Sequence, residues 1–283
     1  MIISVGSGKG GTGKTTVATN LALSLGNTQF FDFDVEEPNS NIFLKTKISE
    51  TEKVNVLIPE IDEKKCNFCG KCSEFCRYNA LAVVNKKVLV FSELCHSCGG
   101  CSLVCPVKAI KYKKRPIGKI EHGKTNNVDF YQGLLNVGEA QAIPVLKHLK
   151  KKIDKEKNVI IDAPPGTACP FVETVESSDY CILVTEPTPF GLNDLKIAVE
   201  TVRLIGIPFG VIINRQGVGD NKVELYCQSE KIPLLTTIPQ SKEIAELYSK
   251  GIPFVKELTE WKEKFKDMFS EISEEVEKRK SSQ

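Results

Sequence analysis

Residues 6–16 read GSGKGGTGKTT, a glycine-rich stretch that matches the phosphate-binding pattern G-x-x-x-x-G-K-[ST] without a mismatch. The apolar run Ile2–Val5 before it predicts a buried strand, and apolar residues at helical spacing after it predict a helix over Thr16–Leu25. In that setting backbone N–H groups of the loop point at a polyphosphate, Lys14 reaches its outer phosphates and the Thr15 hydroxyl holds Mg²⁺. The alternative, a glycine-rich turn without a ligand, is disfavoured by the order strand, loop, helix.

The same loop holds an earlier lysine, Lys9, which the phosphate-binding pattern does not require. The form K-G-G-x-G-K-[ST] resembles the deviant Walker A loop of the MinD/ParA class of ATPases, which includes the nitrogenase iron protein. The resemblance implies Mg²⁺-dependent ATP hydrolysis, slow without a partner protein, in a homodimer that forms on ATP binding. Lys9 would then cross to the partner's nucleotide; otherwise it is a solvated loop lysine. The residues implied to bind the nucleotide are Gly8, Lys9, Gly10, Gly11, Thr12, Gly13, Lys14, Thr15 and Thr16.

Carboxylates follow two further apolar runs, as parallel strands of such an ATPase require. Phe30–Asp34 resembles the first switch segment of the family, which makes Asp34 the residue that positions the attacking water and places Asp32 near the water shell of the metal. Val159–Gly166 resembles the Walker B and second switch segment, which implies that Asp162 holds Mg²⁺ through water. With Lys9 and Lys14, Asp34 completes the predicted catalytic set.

Further apolar runs complete an α/β fold with a mainly parallel sheet. Cys181–Thr185 and Gly210–Arg215 predict buried strands, and Ala140–Ile153 predicts a helix that leads into the strand of Asp162. By the family match, Asn214 reads the adenine and Pro239 belongs to the wall of the base pocket.

The middle of the chain holds eight of the eleven cysteines, in two copies of the spacing C-x2-C-x2-C-x3-C that start 29 residues apart. This duplication resembles the bacterial two-cluster ferredoxin pattern, in which the fourth cysteine of each run ligates the other cluster. By that rule one [4Fe–4S] cluster is held by Cys66, Cys69, Cys72 and Cys105. The second cluster is held by Cys76, Cys95, Cys98 and Cys101.

Two other uses of these cysteines are disfavoured. Disulfides are not expected, because the chain has no signal peptide and reads as a cytoplasmic ATPase, whose thiols stay reduced. Structural zinc favours paired C-x2-C units with a spacer instead of triple runs. Arg77 stands where the first repeat would carry proline, but that proline shapes the loop and is not a ligand.

The repeat interrupts the ATPase pattern, which stops near Pro59 and resumes at Ile117. We therefore predict an ATPase domain over residues 1–61 and 116–283 and an inserted ferredoxin domain over 62–115. The whole arrangement resembles MinD-superfamily ATPases with an inserted ferredoxin domain, and the two ends of the insert must then lie close together.

Composition limits the partners. The net charge is +2, but residues 62–115 carry +7, which offsets two thiolate-ligated clusters and leaves a basic face for an acidic redox partner. The sequence shows neither aromatic residues interleaved with basic ones nor a basic recognition helix, so we do not expect nucleic-acid binding. Apolar runs are too short to insert in a membrane. An apolar stripe from Leu258 to Val276 indicates a helix docked on the core, or a membrane-surface helix, which its mixed charge disfavours.

Three functions fit this sequence: an ATP-gated electron carrier, a metallocluster assembly or carrier factor, and an ATPase switched by clusters that sense oxygen or redox state. The client protein is not named by the sequence. Cys169, Cys181 and Cys227 lie outside the repeat and are mostly core candidates, with Cys169 as the exception. Cys169 follows the second switch, near the interface cysteine of the nitrogenase iron protein but out of register. We expect it to pack against or support the site.

Overall fold

The computed structural model describes residues 1–125 and 127–281, and a nine-stranded sheet runs through it in the order β11-β10-β9-β1-β8-β2-β7-β6-β3. Strands from β11 to β7 pair in parallel, whereas β6 and β3 are antiparallel additions at one edge. The strands are β1 Ile2–Gly6, β2 Thr28–Asp32, β3 Lys47–Ile61, β4 Leu81–Val84, β5 Lys87–Val90, β6 Ile110–Thr125, β7 Val128–Leu135, β8 Asn158–Asp162, β9 Tyr180–Thr185, β10 Phe209–Gln216 and β11 Leu234–Pro239.

Helices cover both faces of the parallel part. They are α1 Lys14–Leu25, α2 Asn41–Leu44, α3 Lys71–Phe75, α4 Gly100–Leu103, α5 Ile143–Lys150, α6 Cys169–Val175, α7 Pro189–Ile205, α8 Lys222–Ser229, α9 Lys242–Ser249 and α10 Thr259–Ser281, with 3₁₀ turns at Ser92–Leu94 and Phe254–Lys256. Because successive strand residues point to opposite faces, Ile182 packs in the core under α1 and α10, while Leu183 packs against α7. The mainly parallel α/β fold is therefore confirmed.

The predicted strands are present where the apolar runs lie. β2 ends at Asp32, so Asp34 lies in the loop beyond the strand and not at its last residue. The helix predicted over Ala140–Ile153 is shorter, at Ile143–Lys150, with Pro144 in its first turn. Proline is favoured in that turn because its missing N–H would have no partner there.

Strands β3 and β6 form a long antiparallel ribbon that carries the cysteine-rich segment. They pair from Lys47 with Lys124 to Ile61 with Ile110. The Asp62 N–H donates to the Ala109 carbonyl at 2.7 Å, so the ends of segment 62–109 are adjacent. The domain boundaries 1–61, 62–115 and 116–283 remain a prediction, and β6 runs across the second of them.

The C-terminal helix α10 docks on the sheet, as expected. Trp261, Phe265 and Ile272 are at most 5% exposed and pack in the same core as α1. Its apolar stripe is thus used within the molecule. No helix in residues 1–125 and 127–281 combines the length and the apolar character that a membrane span requires.

Candidate nucleotide site and cysteine cavities

The glycine-rich loop joins β1 to α1 at the carboxyl edge of the sheet and borders a cavity of about 350 Å³. Gly13 begins the helix with φ 98°, and a Cβ there would lie 2.3 Å from the Asn214 amide nitrogen. Glycine is therefore required at this position by backbone conformation and by space. Lys14, only 6% exposed, faces this cavity with the loop. The cavity is lined by Gly10, Gly11, Gly13, Lys14, Thr15, Thr16, Asp34, Glu37, Asn39, Pro165, Asn214, Arg215, Pro239, Gln240, Ser241, Ile244, Ala245 and Tyr248.

Oxygen atoms converge where the loop meets β8. The Thr15 hydroxyl donates to Asp162 Oδ2 at 2.6 Å, and the Ser40 hydroxyl donates to the same atom at 3.2 Å. The other carboxylate oxygen, Asp162 Oδ1, is buried and has no hydrogen-bond partner among the described residues. Hydroxyl and carboxylate oxygens are the ligands that Mg²⁺ prefers, so Thr15 and Asp162 fit the predicted metal site. Sequence reasoning missed Ser40, which no local motif marks.

Asp32 holds the loop that follows β2. Its carboxylate accepts backbone N–H groups of Asp34, Asn39 and Ser40 at 3.0–3.1 Å. Burial, followed by the charge of Asp162, raises the pKa of Asp32 to about 7. Asp32 is therefore placed to fix the position of the loop, and it stands behind the residues that line the cavity.

Asp34 itself lines the cavity, across from Lys14. Burial, followed by the charge of Asp32, raises the pKa of Asp34 to about 6, and the charge of Lys14 opposes the shift. A carboxylate whose pKa approaches neutrality is better matched to accept a proton from water than one at its ordinary value.

Lys9 lies on the outer side of the loop, with about a third of its side chain exposed. Its ammonium is 4.0 Å from a carboxylate oxygen of Glu186, and Arg215 donates to the other oxygen of Glu186 at 2.6 Å. Glu186 directly follows β9 at the carboxyl edge of the sheet. An acidic residue at the end of an apolar run was the signal for Asp32 and Asp162, and the same signal marks Glu186.

The two residues assigned to the base pocket, Asn214 and Pro239, both line the cavity. Asn214 is 9% exposed, and its amide donates to the Thr12 carbonyl at 2.8 Å. The side chain that was predicted to read adenine thus also ties β10 to the phosphate loop.

The eight repeat cysteines gather around two separate cavities in segment 62–109. The first is lined by Cys66, Cys69, Cys72 and Cys105 together with Ile61, Val83, Val88, Val107 and Ala109. The second is lined by Cys76, Cys95, Cys98 and Cys101 together with Phe75, Tyr78, His96 and Tyr112. Each cavity thus collects three cysteines of one repeat and the fourth cysteine of the other repeat. Four thiols in this grouping fit a cubane cluster with one iron at each thiolate.

No three His, Cys, Asp or Glu side chains in the described part of the chain converge closely enough to hold a single metal ion. A four-iron cluster spreads its four thiolates over the corners of a cube, so this finding concerns single ions. Ligation by the eight cysteines remains a prediction.

Of the three remaining cysteines, Cys181 and Cys227 are buried and Cys169 is the exception, as expected. The side chain of Cys169 is exposed at the first residue of α6, which argues against a packing role, and a role in supporting the site stays a prediction. Proline follows it, and a helix start at the surface leaves the thiol outside the core.

A parallel sheet with a phosphate-binding loop between its β1 strand and first helix defines a P-loop nucleotide-binding protein. Within that class, the family model described as the CobQ/CobB/MinD/ParA nucleotide binding domain matches residues 3–254. The chain therefore belongs to the CobQ/CobB/MinD/ParA nucleotide-binding family.

Relatives cover most of the chain, and solved structures share its fold. An uncharacterised protein of Methanocaldococcus jannaschii is 33% identical over 90% of this chain and 92% of its own length. An iron–sulfur cluster carrier protein of Pyrococcus horikoshii is 24% identical over 89% of this chain and 78% of its own. The cell division ATPase MinD of Pyrococcus furiosus shares the fold, with a TM-score of 0.59, 21% identity and coverage of 96% and 98%. The septum site-determining protein MinD of P. horikoshii, complexed with Mg-ADP, gives a TM-score of 0.56, 23% identity and coverage of 97% and 95%.

Proposed function

We propose that this chain is an ATP-hydrolysing iron–sulfur protein, in which ATP-driven pairing of two copies is coupled to electron transfer through two [4Fe–4S] clusters. The observation that carries the proposal is the gathering of eight cysteines around two cavities, four to each, at the end of a ribbon that belongs to the ATPase sheet. Bound there, such clusters would supply one-electron oxidation and reduction.

The nucleotide chemistry follows from the loop and the two switch segments. Buried Lys14 offsets the charge of the outer phosphates, Thr15 supplies an oxygen ligand for Mg²⁺, and Asp162 holds the ion through water. Asp34 lines the same cavity and is placed to orient water and accept its proton. Mg²⁺ would neutralise charge that develops on the phosphates.

Lys9 is the residue that requires a second copy. Its side chain is partly exposed, and within residues 1–125 and 127–281 its ammonium is held by a 4.0 Å ion pair to Glu186 alone, so it is free to approach another chain. Two triphosphates brought face to face repel each other, and a cation that arrives from the opposite subunit relieves that repulsion in a low-dielectric interface.

The chain itself connects the nucleotide site to the cysteine-rich segment. The loop held by Asp32 leads through α2 into β3, whose far end enters segment 62–109. On the other side, Gln141 ahead of α5 donates to the Cys95 carbonyl at 3.0 Å, and Arg115 on β6 pairs with Glu139. A displacement of the switch loop on ATP binding would therefore be passed to the cysteine cavities through one continuous strand.

The proposal is tested anaerobically on the full chain with its iron intact. Iron and acid-labile sulfide should each approach eight per chain, and cluster reduction should change the rate of ATP hydrolysis while ATP shifts the reduction potential. Stoichiometric zinc in place of iron would overturn the assignment. An unchanged rate of hydrolysis together with an unchanged reduction potential would show that ATP hydrolysis and the redox state of the clusters are not coupled.

A mixture of two variants tests whether Lys9 acts on the nucleotide of the partner chain. Lys9→Ala and Asp34→Ala chains are each expected to be inactive alone. In the heterodimer one composite site keeps both residues, so the mixture should recover up to about half of the wild-type hydrolysis if the two sites work independently. Heterodimers that form but stay inactive would contradict an action of Lys9 in trans.

A second candidate function is favoured by the relatives named iron–sulfur cluster carrier proteins. In that case ATP would govern the release of a cluster to a client. Four cysteines at each cavity leave no open position on a cubane cluster, which supports electron transfer instead. Incubation with an apo-ferredoxin separates the two functions: a carrier loses iron to the acceptor in an ATP-dependent way, whereas an electron carrier keeps its iron through many redox cycles.

A further inference from the structure

The two cysteine cavities are related by the 29-residue repeat, which allows them to be compared position by position. Ala80 and Ala109 correspond, and each donates its backbone N–H to a cysteine sulfur at 3.3 Å, Cys76 in one case and Cys105 in the other. Since Cys76 belongs to one set of four and Cys105 to the other, each cavity receives one such bond. These backbone donors therefore do not distinguish the cavities.

A side chain does distinguish them. The repeat places Val83 and Tyr112 at equivalent positions, and Val83 lines the first cavity while Tyr112 lines the second. The Tyr112 hydroxyl lies 3.7 Å from Cys101 Sγ, within reach of a hydrogen bond to sulfur. Valine has no polar hydrogen, so the equivalent position of the first cavity cannot supply this bond.

In the structure the Tyr112 hydroxyl donates to the Gly99 carbonyl at 2.8 Å and to Ser102 Oγ at 2.8 Å, and Cys101 Sγ is its third neighbour. The Ser102 hydroxyl donates to the same carbonyl at 2.9 Å, so that carbonyl keeps a donor if the tyrosine hydrogen turns towards sulfur. A thiolate bound to iron carries no hydrogen and can only accept, and its negative charge makes it the stronger acceptor.

We propose that the Tyr112 hydroxyl donates a hydrogen bond to the Cys101 thiolate and makes the cluster of Cys76, Cys95, Cys98 and Cys101 the more easily reduced of the two. This inference rests on the proposed function, since it presupposes both clusters. Reduction places added negative charge partly on the thiolates, and a hydrogen-bond donor stabilises that charge, which raises the reduction potential.

The position of the second cavity determines where an added electron would reside. Cys95 of the second set packs against the core formed by β8 and α5, and Gln141 bonds its carbonyl. The cluster that is easier to reduce would therefore be the one beside the ATPase sheet. An electron that enters at the first cavity would come to rest next to the part of the molecule that binds the nucleotide.

The test is a redox titration of the anaerobic, iron-loaded full chain, followed by electron paramagnetic resonance. Tyr112→Phe keeps the ring and removes only the hydroxyl. Tyr78→Phe is the matched control: Tyr78 lines the same cavity and stacks on His96 at 3.7 Å between ring centroids, and no hydrogen bond of its hydroxyl is found in residues 1–125 and 127–281. The wild type should show two reduction waves.

In Tyr112→Phe the more positive wave should shift to a more negative potential, with the other wave and the iron content unchanged. Tyr78→Phe should leave both waves in place. The inference is overturned if neither wave responds to Tyr112→Phe, if both shift equally, or if the more negative wave is the one that moves. A wild-type chain without iron would overturn the proposed function as well, whereas a loaded chain with unresponsive waves overturns this inference alone.

Discussion

The nine-stranded sheet and the cysteine-rich segment 62–109 differ in how their side chains are buried. In β8 and β9, Val159–Asp162 and Tyr180–Thr185 are buried throughout, under helices on both faces. In the cysteine-rich segment few side chains are buried, among them Ala80, Leu81 and Ala109, while Leu94 and Leu103 are exposed. The sheet can be stabilised by apolar burial alone. A segment this short with so little apolar core depends on another source of stability, and bound clusters would provide it.

Removal of iron gives the largest expected effect and tests this contrast directly. Without clusters, segment 62–109 should lose its structure while the sheet persists, because metal-binding energy is folding energy in such small units. Hydrogen exchange followed by mass spectrometry on the full chain should show rapid exchange in 62–109 and lasting protection in β1 and β8. Equal protection of the segment with and without iron would show that its stability does not depend on bound clusters.

Two cysteine variants sharpen this experiment. Cys105→Ser should damage the cluster held chiefly by Cys66, Cys69 and Cys72, despite the distance in sequence. Cys169→Ser is the control, because Cys169 is exposed and belongs to neither cavity. Equal loss of iron in both variants would contradict the assignment of the ligands.

Lys14→Ala should abolish function without unfolding the sheet. Lys14 is buried beside the phosphate cavity, and loss of its charge should weaken ATP binding by roughly 10³-fold, since several kcal/mol of attraction disappear. Calorimetry measures the binding, and circular dichroism should report an unchanged fold. Lys9→Ala, as control, should bind ATP within one chain almost as the wild type does.

Asp34→Ala should affect neither fold nor binding. Because a carboxylate that orients water acts in the transition state, hydrolysis should fall by about 10²-fold with little change in the affinity for ATP. Single-turnover hydrolysis alongside nucleotide binding separates the two quantities. An Asp34→Ala chain that hydrolyses ATP at the wild-type rate would remove this residue from the mechanism.

The smallest expected effect is that of Asp162→Asn on the free energy of unfolding. Burial raises the folded-state pKa of Asp162 to about 6 and that of Asp32 to about 7, above the ordinary 3.8. A raised carboxyl pKa means that the folded state binds protons more tightly, so the wild type loses stability as pH rises from about 4 to 7. Without Mg²⁺ and nucleotide, Asp162→Asn should therefore unfold at a free energy about 1–3 kcal/mol higher than wild type at pH 8.

Denaturant titrations at several pH values measure this difference. It should shrink towards zero below about pH 3, where both carboxyl groups are protonated in the folded and the unfolded state. With Mg²⁺ and nucleotide the order should reverse, because the variant loses the carboxylate that holds the hydrated Mg²⁺. A difference that does not depend on pH would show that the charge of Asp162 is not its cause.

The sequence allowed us to predict the strands that are followed directly by a recognisable motif. β1, β2 and β8 lead to the phosphate loop, Asp32 and Asp162, and their continuous apolar runs are typical of strands buried on both faces. β3 and β6 gave no such signal. Residues 47–53 are largely exposed, so the pattern shows neither an apolar run nor alternation until Val54.

At the site, the loop and its lysines were predictable because their chemistry depends on local spacing. The role of Asp32 was not, because its three N–H partners lie up to eight residues away in a loop without a motif. Tyr112 was missed for a similar reason: its contact with Cys101 depends on how β6 pairs after the repeat ends. The grouping of the cysteines around the two cavities is the one that the resemblance to two-cluster ferredoxins implied.

The pairing of Ile61 with Ile110 makes the tip of the ribbon a natural junction between modules. Neighbouring strands lie about 5 Å apart, so any polypeptide whose two ends are that close can be joined there without altering the register of the sheet. A two-residue turn would meet the same requirement and close a plain hairpin. In evolutionary terms, gain or loss of the cysteine-rich segment needs a change at one turn only, and an engineer could exchange it for another cofactor-binding unit at the same place.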